Sequence, residues 1–189
     1  MFYDERSFVY LSYNSKLIMQ ATYSTARLLL NELTVTDAAF IQELVNMPEW
    51  IKFIGNRNIN NLEEAALYIQ KIIANPDINY WVVQTRDEQT PVGVVTFIKR
   101  NYLSYHDIGF AFLTRYTGQG FAHEAALAIL NNALAHHEQV VATTIKDNTG
   151  SINLLQKLGF NFDKEIVHEQ EPFLLFAIAR EKFNDLSTK

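Results

Sequence analysis

Apolar residues recur along this chain in two rhythms, and the switches between them mark its elements. Arg27 to Leu33 is a short apolar run that reads as a strand. Ala38, Ile41, Leu44 and Val45 then fall at helical spacing, after a start signal of Thr34 or Thr36 with Asp37 and before Met47-Pro48. Asn61 with Glu64 opens a second helix, whose stripe of Ala65, Ile69, Ile72 and Ile73 stops at Asn75-Pro76. Tyr80 to Arg86 and Val92 to Ile98 are β-rich and joined by a turn-forming stretch, Asp87 to Pro91. With Tyr105 to Leu113 they predict an antiparallel meander. Ala122, Ala126, Ile129, Leu130, Ala133 and Leu134 define a strongly apolar helix face, followed by a buried-looking strand, Val140 to Ile145. Asn148 to Leu158 is a last helix closed by Gly159, and Phe160 to Val167 and Phe173 to Ala179 are the last strands.

The order β-αα-βββ-α-β-α-ββ predicts a mixed α/β fold, a central and largely antiparallel sheet of about seven strands flanked by about four helices. Residues 1–24 are rich in tyrosine and serine without a period and read as an extension of unknown role. Residues 25–180 read as one domain and 181–189 as a tail.

Composition narrows the chemistry. With 48% hydrophobic residues in 189, the chain can bury a substantial core. No run approaches the roughly 20 apolar residues of a membrane span, and no leader pattern opens the chain, so a cytoplasmic location is expected. There is no cysteine, which removes disulfides, thiolate metal sites and cysteine nucleophiles. His136 and His137 are adjacent, which points their side chains apart on a helix, and no metal site is expected. A net charge of −5 with dispersed lysines offers no stripe for a phosphate backbone, so nucleic acid is not an expected direct partner, whereas a cationic amine meets a favourable field.

One stretch carries candidate chemistry. Asp107 to Glu124 reads D-I-G-F-A-F-L-T-R-Y-T-G-Q-G-F-A-H-E: an apolar strand, a basic residue, two glycines and the start of a helix. Backbone N–H groups in the first turn of such a helix lack partners and aim into the loop, which suits an anion such as phosphate. The third glycine of the dinucleotide fingerprint is absent, since His123 stands there, and so is Gly-Lys-Ser/Thr.

Arg115-x-x-Gly118-x-Gly120 resembles the R/Q-x-x-G-x-G/A signature of the GNAT superfamily of N-acetyltransferases. Thr25 to Leu30, Asp107 to Phe110, Gly120 to Ala125 and Asn148 to Phe160 are similar to family segments in order and spacing. Together they look like the branch of the ribosomal-protein N-terminal (alanine/serine) acetyltransferases. The resemblance implies an acetyl-coenzyme A-dependent transfer to a primary amine by direct attack in a ternary complex. The acceptor it favours is a protein N-terminal α-amine, with a small amine as the alternative. A non-catalytic acyl-coenzyme A-binding or sensor module is the rival reading, and the chain is expected as a monomer or homodimer.

Carried over residue by residue, the resemblance implies that Ala111, Phe112 and Leu113 lie along the pantetheine arm. It implies that Gly118, Gln119, Gly120, Phe121 and Ala122 offer N–H groups to the pyrophosphate, with Arg115 adding charge and Asn148 and Asn153 flanking the arm. Trp50 and Arg57 are candidates for the acceptor site. Asp107, where relatives carry glutamate, is the candidate general base, and His106 is its rival; strand alternation sends the two to opposite faces. Two positions depart from the family: Leu155 stands where many members carry a tyrosine acid, and His123 where serine or threonine is usual.

Overall fold

The structure, a computed structural model, describes Met19 and residues 21–187. Its centre is an eight-stranded sheet: β1 Thr22–Ser24, β2 Leu28–Glu32, β3 Ile78–Thr85, β4 Pro91–Ile98, β5 Asp107–Phe112, β6 Gln139–Thr144, β7 Asn161–His168 and β8 Glu171–Ala179. The spatial order is β1-β2-β3-β4-β5-β6-β8-β7. Every neighbouring pair is antiparallel except β5 and β6, which run parallel and register at a single pair, Asp107 with Val141.

Six helices cover the sheet: α1 Ala38–Val45, α2 Pro48–Phe53, α3 Leu62–Ala74, α4 Phe121–His136, α5 Thr149–Lys157 and α6 Arg180–Ser187. Strand alternation divides the core between the two faces. On the first face, Ile41, Leu44, Trp50, Ala65 and Ile69 of α1 to α3 pack on Tyr80, Val82, Val94 and Leu113. On the second, Ala126, Ile129 and Leu130 of α4 and Leu155 of α5 pack on Leu30, Trp81, Phe97 and Ile108.

The mixed, largely antiparallel architecture is the expected one, with one more strand and two more helices than about seven and about four. The extra strand, β1, falls inside the stretch read as an extension. Tyr23 explains its place: the ring meets Trp81 edge-on at 5.6 Å and the hydroxyl donates to Asn132 Oδ1 at 3.0 Å. The short helix α2 begins with Pro48 at its first position, carries Glu49 in its first turn and Lys52 in its last, and spans six residues, too few for an apolar period to be seen. The third addition, α6, takes up most of the expected tail and sinks Phe183 into the core on the second face. Arg180 ties it down by donating to the carbonyls of Leu134 and His137 at 2.7 and 3.2 Å. β1 ends at Ser24 and α6 begins at Arg180, and such short aperiodic elements give no apolar rhythm to read.

Candidate active site

A parallel ladder that registers once and then stops leaves two strands diverging. Val141 N–H donates to the His106 carbonyl at 3.0 Å. A continued parallel ladder would next give the Thr143 N–H to the Ile108 carbonyl. It goes instead to Asp107 Oδ1 at 3.0 Å, and from there β5 and β6 part into a cleft.

Backbone direction inside the cleft follows from alternation. Leu113 N–H is taken by the Val92 carbonyl at 2.9 Å, so odd-numbered residues of β5 bond toward β4. The N–H groups of Phe110 and Phe112 consequently point toward β6, where no pairing is registered beyond Asp107 and Val141. The three residues expected along the arm therefore present different groups. Leu113 has no N–H to offer and its side chain is buried among the helices of the first face; Ala111 also turns its N–H to β4, whereas Phe112 opens into the cleft. Phe110 shares this direction with Phe112, as strand alternation applied to the Leu113 end would show.

The glycine loop closes the wide end of the cleft. Gly118 and Gly120 have φ of +76° and +79°, a region that costs a side chain roughly 1–2 kcal/mol. Around Gly118 no atom lies within 4 Å of where a Cβ would stand, so the backbone is open to a ligand. Gly120 caps α4 without a side-chain acceptor, and the first intrahelical bond is Glu124 N–H to the Gly120 carbonyl, which leaves the N–H groups of Phe121, Ala122 and His123 directed into the loop. These positions fit an anionic pyrophosphate through N–H groups and the positive end of a 16-residue helix.

Arg27 holds the loop in this pose. Its Nη1 donates to the Gln119 carbonyl at 3.0 Å, its Nε to Glu124 Oε2 at 2.7 Å and its backbone N–H to Glu124 Oε1 at 2.9 Å. Thr25 Oγ1 adds a 2.6 Å bond to the same carboxylate. Burial works against the charge on Glu124, but the hydrogen bonds from Thr25 and Arg27 win and hold its carboxyl below the usual range. Arg115 is exposed, paired with Glu43 of α1 and set over the Tyr116 ring, so it braces the loop against the first face.

The remaining candidates separate. Asn148 caps α5, accepting from Ser151 N–H at 3.1 Å, and Asn153 is exposed on the same helix. Arg57 is exposed. Trp50 is buried in the core of the first face with its indole N–H unpartnered, so the expected acceptor contact is not presented at the surface: the six residues around it form a helix and turn it inward. Leu155 is buried too, packed in the core of the second face.

Neither expected base stands free. Asp107 is only 2% exposed; its Oδ2 takes the Arg100 Nε–H at 2.5 Å, its Oδ1 takes Thr143 N–H, and Thr143 Oγ1 lies 3.5 Å from both oxygens. Burial pushes its carboxyl up, against the pull of Arg100 and Thr143. His106 lies on the opposite face, stacked on Phe97 at 4.7 Å and against His137 at 4.5 Å, by the end of α4 farthest from the glycine loop. Burial and then the charges of His137 and Lys99 bring its pKa down to about 4. Among the described residues no group of three or more potential ligands is arranged for a metal.

Comparison with known proteins gives this arrangement its family. Residues 27–161 match the acetyltransferase (GNAT) domain. The chain belongs to the GNAT acetyltransferases. It is 27% identical over 138 residues to the uncharacterised N-acetyltransferase YnaD of Bacillus subtilis, covering 72% of this chain and 80% of the relative. Among solved structures it resembles a GNAT acetyltransferase of Bacillus anthracis with a TM-score of 0.72 and 24% identity, over 85% of this chain and 99% of the other. A Vibrio cholerae protein proposed as a ribosomal-protein-serine acetyltransferase aligns with a TM-score of 0.68 and 20% identity, over 84% and 97%. The protein is an N-acetyltransferase of the GNAT type, and the family's acetyl donor is acetyl-coenzyme A. No helix among the described residues is long and apolar enough to cross a membrane.

Proposed function

We propose that this GNAT enzyme acetylates the α-amine at the N-terminus of a protein or peptide, by direct attack within a ternary complex. The observation that carries the reading is that, among the described residues, neither expected base is free: Asp107 is filled by Arg100 and Thr143, and His106 is stacked on the other face. An enzyme so built must take an amine that is already neutral. An α-amine with a pKa of about 7.7–8.0 is neutral to about a third at pH 7.5, whereas a lysine side chain near 10.4 is neutral to about one part in a thousand. The name of the Vibrio cholerae protein points the same way.

Acetyl-coenzyme A, when bound, supplies the thioester carbonyl. The protein's part is to hold and aim it. The N–H groups of Gly118, Gln119, Gly120, Phe121 and Ala122 receive the pyrophosphate, and those of Phe110 and Phe112 line the arm as a missing strand would. Asn148 and Asn153 border the opposite wall, and Arg115 stays as the loop's brace. Glu49, in the first turn of α2 and accepting a hydrogen bond from the neutral Thr114 hydroxyl, draws a cationic acceptor toward the entrance before it loses its proton to water. Arg57 remains the candidate for contact with the rest of the acceptor.

Thiol release is the test, with free-N-terminus peptides compared against the same peptides blocked at the α-amine and carrying lysine, and against small polyamines. Turnover confined to free N-termini is the expected result. Faster turnover of blocked lysine peptides or polyamines would refute the acceptor assignment.

A further inference from the structure

The parting of β5 and β6 has a local cause at Asp107. At the last paired position, the amide hydrogen that would continue the ladder is captured by a side chain, and that side chain is fixed from the other side by an ion pair. Arg100 comes from the loop between β4 and β5, a loop folded on itself by Lys99 Nζ, which donates to the carbonyls of Leu103 and Ser104 at 3.3 and 2.7 Å. Asp107 is thus clasped between a loop on one side and a β6 amide on the other. Its short side chain spans the gap that a backbone carbonyl would otherwise close.

We propose that Asp107 is a positioning residue: held by Arg100, its carboxylate takes the Thr143 N–H out of the β5–β6 ladder and so fixes the opening in which the thioester arm lies. The proposal rests on the acetyl-coenzyme A reading of the cleft and assigns Asp107 a role through geometry rather than proton transfer. It explains why a carboxylate at the strand's start, so close to the expected chemistry, has no lone pair turned to solvent. Asparagine would keep the acceptor for Thr143 and give up the ion pair, while Arg100, one-third exposed, turns to water. Alanine gives up both contacts and leaves the Thr143 N–H without its acceptor.

Three variants decide it, Asp107→Asn, Asp107→Ala and Arg100→Gln, each checked for folding by thermal unfolding. Amide exchange in the free protein is the first readout. Thr143 is expected to be protected in the wild type and in Asp107→Asn and to lose at least tenfold protection in Asp107→Ala, while Val141, bonded to the His106 carbonyl, keeps its own. Calorimetric titration with acetyl-coenzyme A is the second. Binding is expected to weaken tenfold or more in Asp107→Ala, severalfold in Arg100→Gln, and within threefold in Asp107→Asn, whose turnover should keep the acid limb of its pH profile.

Unchanged binding in Asp107→Ala overturns the proposal, as does Asp107→Asn binding normally with the acid limb gone and turnover down a hundredfold or more, the signature of a base. If Asp107→Ala does not fold, Asp107→Asn and Arg100→Gln carry the same comparison, and unchanged binding in Arg100→Gln then overturns it. Failure of the wild type to bind acetyl-coenzyme A would instead overturn the reading of the cleft, and the exchange pattern at Thr143 would still judge the clasp.

Discussion

Arg27 and Glu124, 97 residues apart in the sequence, meet through two separate hydrogen bonds, one from the Arg27 backbone and one from its guanidinium. The contact joins the residue that precedes β2 to the first turn of α4 and anchors the end of the glycine loop. Glu124→Ala leaves Thr25 and Arg27 without their acceptor at a half-buried site. A loss of about 1–3 kcal/mol is expected, with weaker binding of acetyl-coenzyme A because Gln119 loses its anchor's alignment. Thermal unfolding and titration measure the two effects; a stable variant with intact binding would show that the loop holds its own shape.

Gly118→Ala separates backbone strain from crowding. A Cβ there meets nothing within 4 Å, so the expected loss of about 1 kcal/mol comes from the positive φ alone. That corresponds to a fall in Tm of about 2–4 °C for a chain of this size. Binding should fall further, because the methyl group stands where the ligand approaches. Equal binding in the variant would place the pyrophosphate elsewhere.

Tyr80 offers a test of the first face. Its hydroxyl is buried without a hydrogen-bond partner, and burial, with Tyr68 nearby, pushes its pKa well above the usual value against the pull of Arg57. Tyr80→Phe removes an unsatisfied group at nearly constant shape and should be neutral or stabilising by up to about 1 kcal/mol. A clear loss of stability in denaturant melts would mean that the hydroxyl is satisfied by bound water.

Acid sensitivity should trace to His106. Its folded pKa of about 4 lies below an unfolded value near 6.5, so the unfolded chain binds the proton first. The stabilisation is fully present above pH 6.5 and is lost as pH falls toward 4. Discounted for partial exposure, the loss is on the order of 2 kcal/mol. His106→Phe keeps the stack on Phe97 and removes the proton; its stability should be flatter than that of the wild type between pH 6.5 and 4, and parallel curves would assign the acid loss to other groups.

What could be read from the sequence followed from periodicity. The amphipathic helices and the meander carry long apolar rhythms, and the glycines of the loop carry a backbone requirement that few other residues meet. Thr22–Ser24, Pro48–Phe53 and Arg180–Ser187 are held by tertiary contacts of Tyr23, Trp50 and Phe183, which no local pattern announces. The strand expected to face the arm is β5, but the direction of each N–H depends on where the pairing with β4 ends, a register that Leu113 bonded to Val92 fixes. Asp107 was singled out by position, whereas its occupants, Arg100 from a neighbouring loop and Thr143 from a strand far along the chain, lie beyond any spacing argument.

The lone parallel pair at Asp107 and Val141 makes the sheet two half-sheets sharing one stitch. One half is β1 to β5, the other β6 to β8, and each is a continuous run of antiparallel neighbours. Zipping the stitch further would add backbone hydrogen bonds and should make the protein harder to unfold, yet it would erase the slot in which the donor is proposed to lie. Selection for thermal robustness in this fold is therefore expected to work on the outer strands and helices and to leave the middle seam weak.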